Sequence, residues 1–324
     1  MEQEPRAAET PGGGRLFGLL VTYRRPDELR QTLARIAAQT RPPDRLLVVD
    51  NEASPVTAEI VRQHAAATSA AAEVAPAPEN LGWTGGLAFG MSRILREARD
   101  GDWIMALDDD DPPADDTIFA DVMAFAAQMV ARDPMTAAVG LAGSRFDWRR
   151  GRTARVPSEE LSGPVAVDYL AGNQFGTYRA EAVRAVGTFD PAIFFGFSEG
   201  EYGLRLRRAG WSLYAHGDWW RIRRERAGRT DFVMKPSTRI GEPDWRRYYS
   251  FRNLIYVLRS GGRSTTAARV ILVRGIGKPL ANVFVHPRAA LGHLRLNLKA
   301  ARDGWVGRMG RTVEPVPWGP RPKS

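Results

Sequence analysis

The 324-residue chain contains no cysteine, which excludes disulfides, thiolate zinc sites, iron–sulfur clusters and thiol nucleophiles. Histidine is scarce too, with four residues, so any metal or acid–base chemistry falls mainly to carboxylates. No stretch reaches the about 18 uninterrupted apolar residues that a membrane-spanning helix needs. The first fifteen residues hold Glu2, Glu4 and Glu9 and no apolar run that could serve as a secretion signal. The expected location is therefore the cytoplasm, free or peripherally attached to the inner face of the plasma membrane. No internal repeat is present. At 44% hydrophobic residues, the chain can bury one large core or two modest ones, which excludes disordered and fibrous classes.

Charge is unevenly distributed. The net +9 combines an acidic segment 1–202, with 20 Lys+Arg against 30 Asp+Glu, and a basic segment 203–324, with 26 against 7. A basic third of this kind suits phosphates on a nucleic acid, a membrane surface or a pyrophosphate-bearing substrate. Arginine outnumbers lysine 42 to 4, a bias that genomic base composition can produce without selection.

Residues 1–14 are polar and rich in Gly and Pro, the composition of a frayed end. Leu16–Thr22 is an apolar run suited to a buried strand, closed by Arg24-Arg25-Pro26-Asp27, which opens a helix with Leu29, Leu33 and Ile36 on one face. Leu46–Asp50 and Trp103–Leu107 are further strands, and Pro55–Ala67, Gly85–Ala98 and Thr117–Ala131 are helices. Strands alternating with helices at this spacing imply parallel pairing and an open α/β sheet covered on both faces. Ala180–Val186 and Glu199–Ala209 add helices and Trp211–Ala215 a strand. Beyond about Pro243 the pattern becomes helical, over Trp245–Arg259, Thr265–Phe284 and Arg288–Arg302.

Ligands of open α/β sheets gather at the C-terminal strand ends, and four motifs fall there. Asp108-Asp109-Asp110-Asp111 directly follows the third strand. Adjacent acids repel unless a cation neutralises them, and Mg²⁺ pairs few carboxylates with substrate phosphate oxygens; the bland alternative is an acidic loop capping the next helix. Asn80-Leu81-Gly82-Trp83-Thr84-Gly85-Gly86 precedes a helix, where glycines admit close backbone approach and a helix N-terminus favours an anion, unless they serve only a turn. Asp50-Asn51 ends the second strand, positioned for a nucleobase or ribose or simply for the strand-to-helix turn. Phe197-Ser198-Glu199-Gly200-Glu201 places two acids in the first turn of a helix, which keeps carboxylates ionised and fit to act as a general base. Glu201 also stands four residues before Arg205, the spacing of a helix-surface ion pair.

Together these residues resemble the family 2 nucleotide-sugar glycosyltransferases, inverting enzymes of the GT-A fold. The match begins at Val21-Thr22-Tyr23-Arg24-Arg25-Pro26, passes through Asp50-Asn51, Asn80-Leu81-Gly82 with Gly85-Gly86 and Asp108–Asp111, and reaches Glu199–Arg208. The resemblance spans residues 16–216 and implies a mostly parallel, Rossmann-like α/β sheet in a domain over 15–240; the residue pattern beyond it gives a basic helical region over 241–311 and a flexible tail over 312–324. It implies that Thr22, Tyr23 and Arg24 line the nucleotide pocket, with Asp50 at the base and Asn80, Gly82 and Trp83 beside the donor. Asp108 and Asp109 would face the nucleotide, and Asp108 and Asp110 would hold Mg²⁺ or Mn²⁺ on the pyrophosphate; Asp109 with Asp111 is the other register. Glu199 falls at the position of the catalytic base, with Glu201 beside it.

The loop, the acids and Glu199-Gly200-Glu201-Tyr202-Gly203-Leu204-Arg205 are similar to bacterial galactofuranosyl- and rhamnosyltransferases. That similarity implies a hexosyltransferase that moves galactofuranose or rhamnose from a UDP- or dTDP-sugar to a hydroxyl of a glycan, lipid-linked or natural-product acceptor. Such enzymes place a His about a dozen residues after the Gly-aromatic pair, here Gly210-Trp211. His216 arrives early and is either a metal ligand or a strand-end residue, and Arg221 or Arg223 could stand in by neutralising the pyrophosphate.

On a helical wheel Arg288, Arg295, Lys299 and Arg302 cluster beside Leu291, Leu294 and Leu298. Such a helix over 286–311 either rests on an anionic membrane or packs its leucines onto the main domain. A nucleotidyltransferase shares the acid–metal logic but calls for a basic phosphate-activating signature near the N-terminus. Nucleic-acid binding is disfavoured, because it leaves the strand-end acids unexplained and no helix-turn-helix, ribonucleoprotein or zinc pattern is present.

Overall fold

The computed structural model describes residues 14–68, 71–172, 174–228 and 244–314. The expected N-terminal extension and tail, apart from Gly14 and residues 312–314, and the expected boundary near residue 240 lie outside the described residues.

Every residue of the apolar run Leu16–Thr22 is buried, and the run forms β1 in the interior of an eight-stranded sheet. It pairs in parallel with β2 (Arg45–Asp50), and β2 in turn with β3 (Ala71–Pro76). On its other side β1 pairs in parallel with β4 (Trp103–Asp108). Thr22 lies opposite Asp50, Asp50 opposite Pro76, and Val21 opposite Asp108. The sheet register therefore aligns the predicted strand-end residues along one edge.

Strands β5 (Thr136–Gly140), β6 (Gly143–Asp147), β7 (Arg152–Ala154), β8 (Pro164–Val167), β9 (Tyr169–Leu170), β10 (Thr177–Arg179) and β11 (Ser212–His216) complete the structure. The main sheet runs β3-β2-β1-β4-β10-β5-β11-β8, and β7-β6-β9 form a small second sheet. β10 is antiparallel to both β4 and β5, and β8 to β11, so the sheet is mixed though mostly parallel.

Alternation along β1 and β2 sends Leu16, Leu20, Leu46 and Val48 to one face and Phe17, Leu19, Leu47 and Val49 to the other. The first face is covered by α1 (Pro26–Ala37), α2 (Pro55–Ala67) and α4 (Ile118–Arg132). The second is covered by α3 (Gly82–Ile94), α5 (Ala180–Val186), α6 (Ser198–Arg208) and α7 (Gly217–Arg226). A third core joins Phe146, Phe194 and Leu204 to α8 (Trp245–Ser260), α9 (Ser264–Val270) and α11 (Pro287–Val306).

Three expectations shift. The α3 helix starts at Gly82 rather than Gly85, so Gly85 and Gly86 lie inside it. A Cβ on Gly86 would stand 2.6 Å from Val21 Cγ1; this glycine lets α3 lie close on β1. The helix expected over Thr265–Phe284 is broken into α9, a π-helical segment Ile271–Gly277 and the short α10 (Lys278–Ala281). Gly275, Gly277 and Pro279 weaken that stretch. Leu291 and Leu298 do not anchor α11 either: the helix packs through Ala290, His293, Asn297, Ala300, Ala301 and Gly304, and those leucines stay exposed.

Candidate active site

Asp108 is the last residue of β4, and the strand end carries Asp109 and Asp110 into the same space, where one carboxylate oxygen from each of the three lies within 4.8 Å of the others. Asp109 is 3% exposed. It accepts hydrogen bonds from Thr22 Oγ1 at 2.7 Å and Arg25 Nη1 at 2.9 Å, and Thr32 Oγ1 donates to its backbone carbonyl at 2.8 Å. Arg25 bridges to Asp110 at 2.6 Å. Burial, followed by repulsion from Asp110 and Asp109, pushes the Asp108 carboxyl up to about 7 despite Arg25. Burial likewise raises Asp109 and Asp111. Three hard oxygen ligands crowded together with one guanidinium between them fit Mg²⁺ or Mn²⁺.

Thr22, expected in a nucleotide pocket, thus acts at the strand-end edge as a clamp on Asp109. Tyr23, 38% exposed, and Arg24 present a stacked pair, the guanidinium 5.0 Å from the ring centroid, with Arg24 Nε also donating to Glu52 at 2.8 Å. Asp50 is buried and accepts from the backbone N–H groups of Glu52 and Ser54 at 2.9 and 2.7 Å, which shapes the β2–α2 turn. Asn51 ties that turn to the Asn80–Gly86 segment, the expected donor loop, donating to the Gly82 carbonyl at 3.2 Å and accepting from Leu81 N–H at 3.2 Å. Asn80 Oδ1 in turn accepts from Gly82 N–H at 2.9 Å. Gly82 has φ +70°, and a Cβ there would stand 2.5 Å from the Phe194 carbonyl oxygen, so the position tolerates little else.

That contact joins the donor loop to the turn before α6. Phe194, Gly196 and Phe197 all have positive φ, at 27°, 73° and 63°, a concentration of strain typical of functional turns. It delivers Glu199 into the first turn of α6, where Trp83 Nε1 donates to Glu199 Oε1 at 2.9 Å and Ser198 Oγ lies 3.2 Å from Oε2. The donor loop and the expected base are therefore in direct contact across 116 residues.

Glu201 lies differently. Both its oxygens accept from Arg205, at 2.8 and 3.0 Å, and Arg205 also donates to the carbonyls of Val186 and Thr188. His216 ends β11 with Nδ1 accepting weakly from Trp219 N–H at 3.5 Å and its ring 4.8 Å from Phe125; it is outside the group of three acids. Arg221 pairs along its own helix with Asp218 and Glu225. The positive charge of Arg223 partly offsets the effect of burial on Asp111.

The chain is 31% identical over 268 residues to the galactofuranosyltransferase GlfT1 of Mycobacterium tuberculosis, an alignment that covers 76% of this chain and 83% of that one. It is 30% identical over 266 residues to GlfT1 of Mycolicibacterium smegmatis, covering 75% and 83%. The family model for glycosyl transferase family 2 matches residues 19–151. The chain belongs to glycosyltransferase family 2. This family 2 glycosyltransferase has the GT-A fold: it superimposes on a mannosyltransferase of Pyrobaculum calidifontis in complex with GDP-Man and Mn²⁺, at TM-score 0.50 and 17% identity over 91% of this chain and 87% of that one. It also superimposes on GalNAc-T7 with UDP, GalNAc and Mn²⁺, at TM-score 0.51 and 12% identity over 76% and 48%.

Two residues hold the candidate site together in ways the sequence does not announce. Arg25 belongs by sequence to the Val21–Pro26 motif and to a helix start, and its pairing with the acids has no local signal, although four consecutive acids call for a cation somewhere in the chain. Asn51 was noted beside Asp50, but its link to Leu81 and Gly82 is long-range and has no local signature.

Proposed function

We propose that this enzyme transfers galactofuranose from a UDP-sugar to a hydroxyl of a glycan or lipid-linked acceptor, with inversion at the anomeric carbon. The galactofuranosyltransferase relatives support the sugar, and rhamnose from a dTDP-sugar is the second candidate. The observation that carries the chemistry is the 2.9 Å hydrogen bond from Trp83 Nε1 to Glu199 Oε1, which fixes a carboxylate beside the donor loop.

The partner Trp83 occupies one oxygen of Glu199, and Ser198 Oγ lies 3.2 Å from the other, Oε2. That oxygen takes the proton of the acceptor hydroxyl as its oxygen bonds to the anomeric carbon, and the bond to the nucleoside diphosphate breaks on the opposite face. One displacement inverts the centre. Asp108 and Asp110 are the residues that would hold Mg²⁺ or Mn²⁺, which when bound supplies Lewis-acid stabilisation of the leaving diphosphate. Arg223 adds positive charge on the Asp111 side, and the Tyr23–Arg24 pair offers a face for the base or ribose.

The test is a thermal-shift screen of UDP-galactofuranose, UDP-galactose, dTDP-rhamnose and GDP-mannose with and without Mn²⁺. A donor at a hundredfold excess over Kd stabilises the fold by about 2.7 kcal/mol. The expected result is a Mn²⁺-dependent rise confined to UDP-galactofuranose, and a product of inverted anomeric configuration by NMR. A preference for dTDP-rhamnose would reassign the sugar, and a retained anomer would overturn the single displacement.

A further inference from the structure

The C-terminal helices enclose a cavity that the transfer chemistry does not use. Its volume is about 210 Å³, and it is lined by Arg247, Ser250, Phe251, Leu254, Arg274 and Lys278. Among the described residues, three cations meet there with a hydroxyl, two apolar side chains and no carboxylate, and the arginines' partners are neutral and distant: Arg247 Nε donates to Asn297 Oδ1 at 3.3 Å and Arg274 Nη1 to the Gly151 carbonyl at 3.4 Å. Burial depresses the pKa of both, and repulsion from Arg247 and Arg152 lowers Arg274 further. A cluster of like charges with this lining is complementary to a bound anion.

The surface around the cavity has a second peculiarity. Of the twelve large hydrophobic side chains exposed among the described residues, nine lie between residues 272 and 306, so the exposure is regional rather than scattered. Phe284 is 95% exposed, Val285 69% and Leu272 63%. Leu272 and Val273 immediately precede Arg274, and Leu280 follows Lys278 by two residues, so cavity cations and exposed apolar groups are interleaved along one segment. Along α11 the exposed stripe Leu291, Arg295, Leu298, Arg302, Trp305 repeats the mixture.

A nucleic acid would pair such cations with aromatic stacking platforms; here the neighbours are chiefly aliphatic. A phosphate attached to hydrocarbon satisfies both halves. We propose that Arg247, Arg274 and Lys278 hold the phosphate of an anionic lipid while Leu272, Val273, Leu280, Phe284 and Val285 enter the hydrocarbon of the membrane. Ser250, on the cavity wall, packs against Gly196, with Oγ 2.8 Å from where a Cβ would stand there. Gly196 lies three residues before Glu199, so a docked lipid surface adjoins the turn that carries the expected base. Lipid binding is read without donor or acceptor, so its outcome is independent of the sugar and of the reaction.

The full chain is floated with phosphatidylcholine vesicles with and without a minor fraction of phosphatidate. Binding is expected only with phosphatidate, falling on the order of a hundredfold in R247Q/R274Q/K278Q, since each basic residue near an anionic surface contributes a few-fold to tenfold. F284S/V285S, on largely solvent-facing positions, is expected to weaken flotation with the melting temperature unchanged. Equal flotation of the triple variant and the wild type, or equal capture by pure phosphatidylcholine, would overturn the assignment. So would cavity-dependent stabilisation by inorganic pyrophosphate without vesicle binding, which would mark a site for a soluble anion. A vesicle-free dimer that F284S/V285S dissociates in sedimentation would give the apolar surface to a second copy of the chain.

Discussion

The strand-end edge and the C-terminal helices are electrostatic opposites. At the edge, Asp108, Asp109 and Asp110 crowd within 4.8 Å around Arg25. In the helices, Arg247, Arg274 and Lys278 share a cavity without a carboxylate. Among the described residues, Arg25 offsets only part of the acidic charge and no carboxylate lines the cavity of the cations, and both clusters cost stability in isolation. The difference lies in rigidity. The acids hang from a central strand and are clamped by Thr22 and Thr32, whereas two of the three cations, Arg274 and Lys278, sit on an interrupted helix with a π-helical segment. Fixed geometry suits a reaction centre, and an adaptable surface suits docking.

The largest expected effect breaks the edge at its base. E199Q keeps the hydrogen bond from Trp83 but cannot accept a proton, so transfer should fall by about 10²–10⁴-fold while donor affinity, followed by calorimetry, stays within a few-fold. Equal loss of both would remove Glu199 from the base role. The same substitution at Glu201 provides the contrast, because that carboxylate is committed to Arg205: E201Q should cost stability rather than turnover.

Next comes the acid register. Asp110 points its carboxylate at Arg25 and belongs to the group of three, while Asp111 does not. D110N is expected to weaken Mn²⁺ binding, read by electron paramagnetic resonance, by about tenfold to a hundredfold, a size typical of disturbed metal ligation. D111N should shift it by a few-fold at most. The reverse order would move the metal to Asp109 and Asp111.

The same contrast explains what could be read in the sequence. Leu16–Thr22 and Pro55–Ala67 matched the structure at both ends because a continuous apolar run and a Ser54-capped, 3.6-period pattern are local signals. The placement of Asp108 at a strand end and of Glu199 at a helix start was legible because those positions have chemical signatures. β3 was not: Ala71-Ala72-Glu73-Val74-Ala75-Pro76 has weak strand propensity and is held by pairing with β2. The two-residue β9 and three-residue β10 exist only through their partners. Arg25 to Asp109, Asn51 to Gly82 and Trp83 to Glu199 span 84, 31 and 116 residues, and no window of sequence contains them. The break at Ile271–Gly277 was written in Gly275, Gly277 and Pro279, but the apolar periodicity across them pointed to one helix.

The smallest effect is a stability change and bears on the claim that the edge is incomplete alone. In metal-free protein the Asp108 carboxyl titrates near 7, against an ordinary value of 3.8. Between those values the folded chain holds a proton that the unfolded chain has lost. Stability from this group is therefore complete below the ordinary value and is lost as pH rises through about 7, with a slope of at most about 1.4 kcal/mol per pH unit. Asp109 and Asp111, also raised, act in the same direction, and His64, lowered by burial, acts in the opposite one. Comparison with D108N cancels those shared contributions. In EDTA, D108N should therefore gain on the wild type as pH rises from 5 to 8, by on the order of 1–2 kcal/mol, visible as a higher melting temperature at pH 8. Adding Mn²⁺ at pH 8 should reverse the ranking, because a bound cation favours the ionised carboxylate that D108N lacks. If D108N and wild type keep parallel pH profiles in EDTA, Asp108 is already neutralised by the protein itself, and the edge needs no metal to be electrostatically complete.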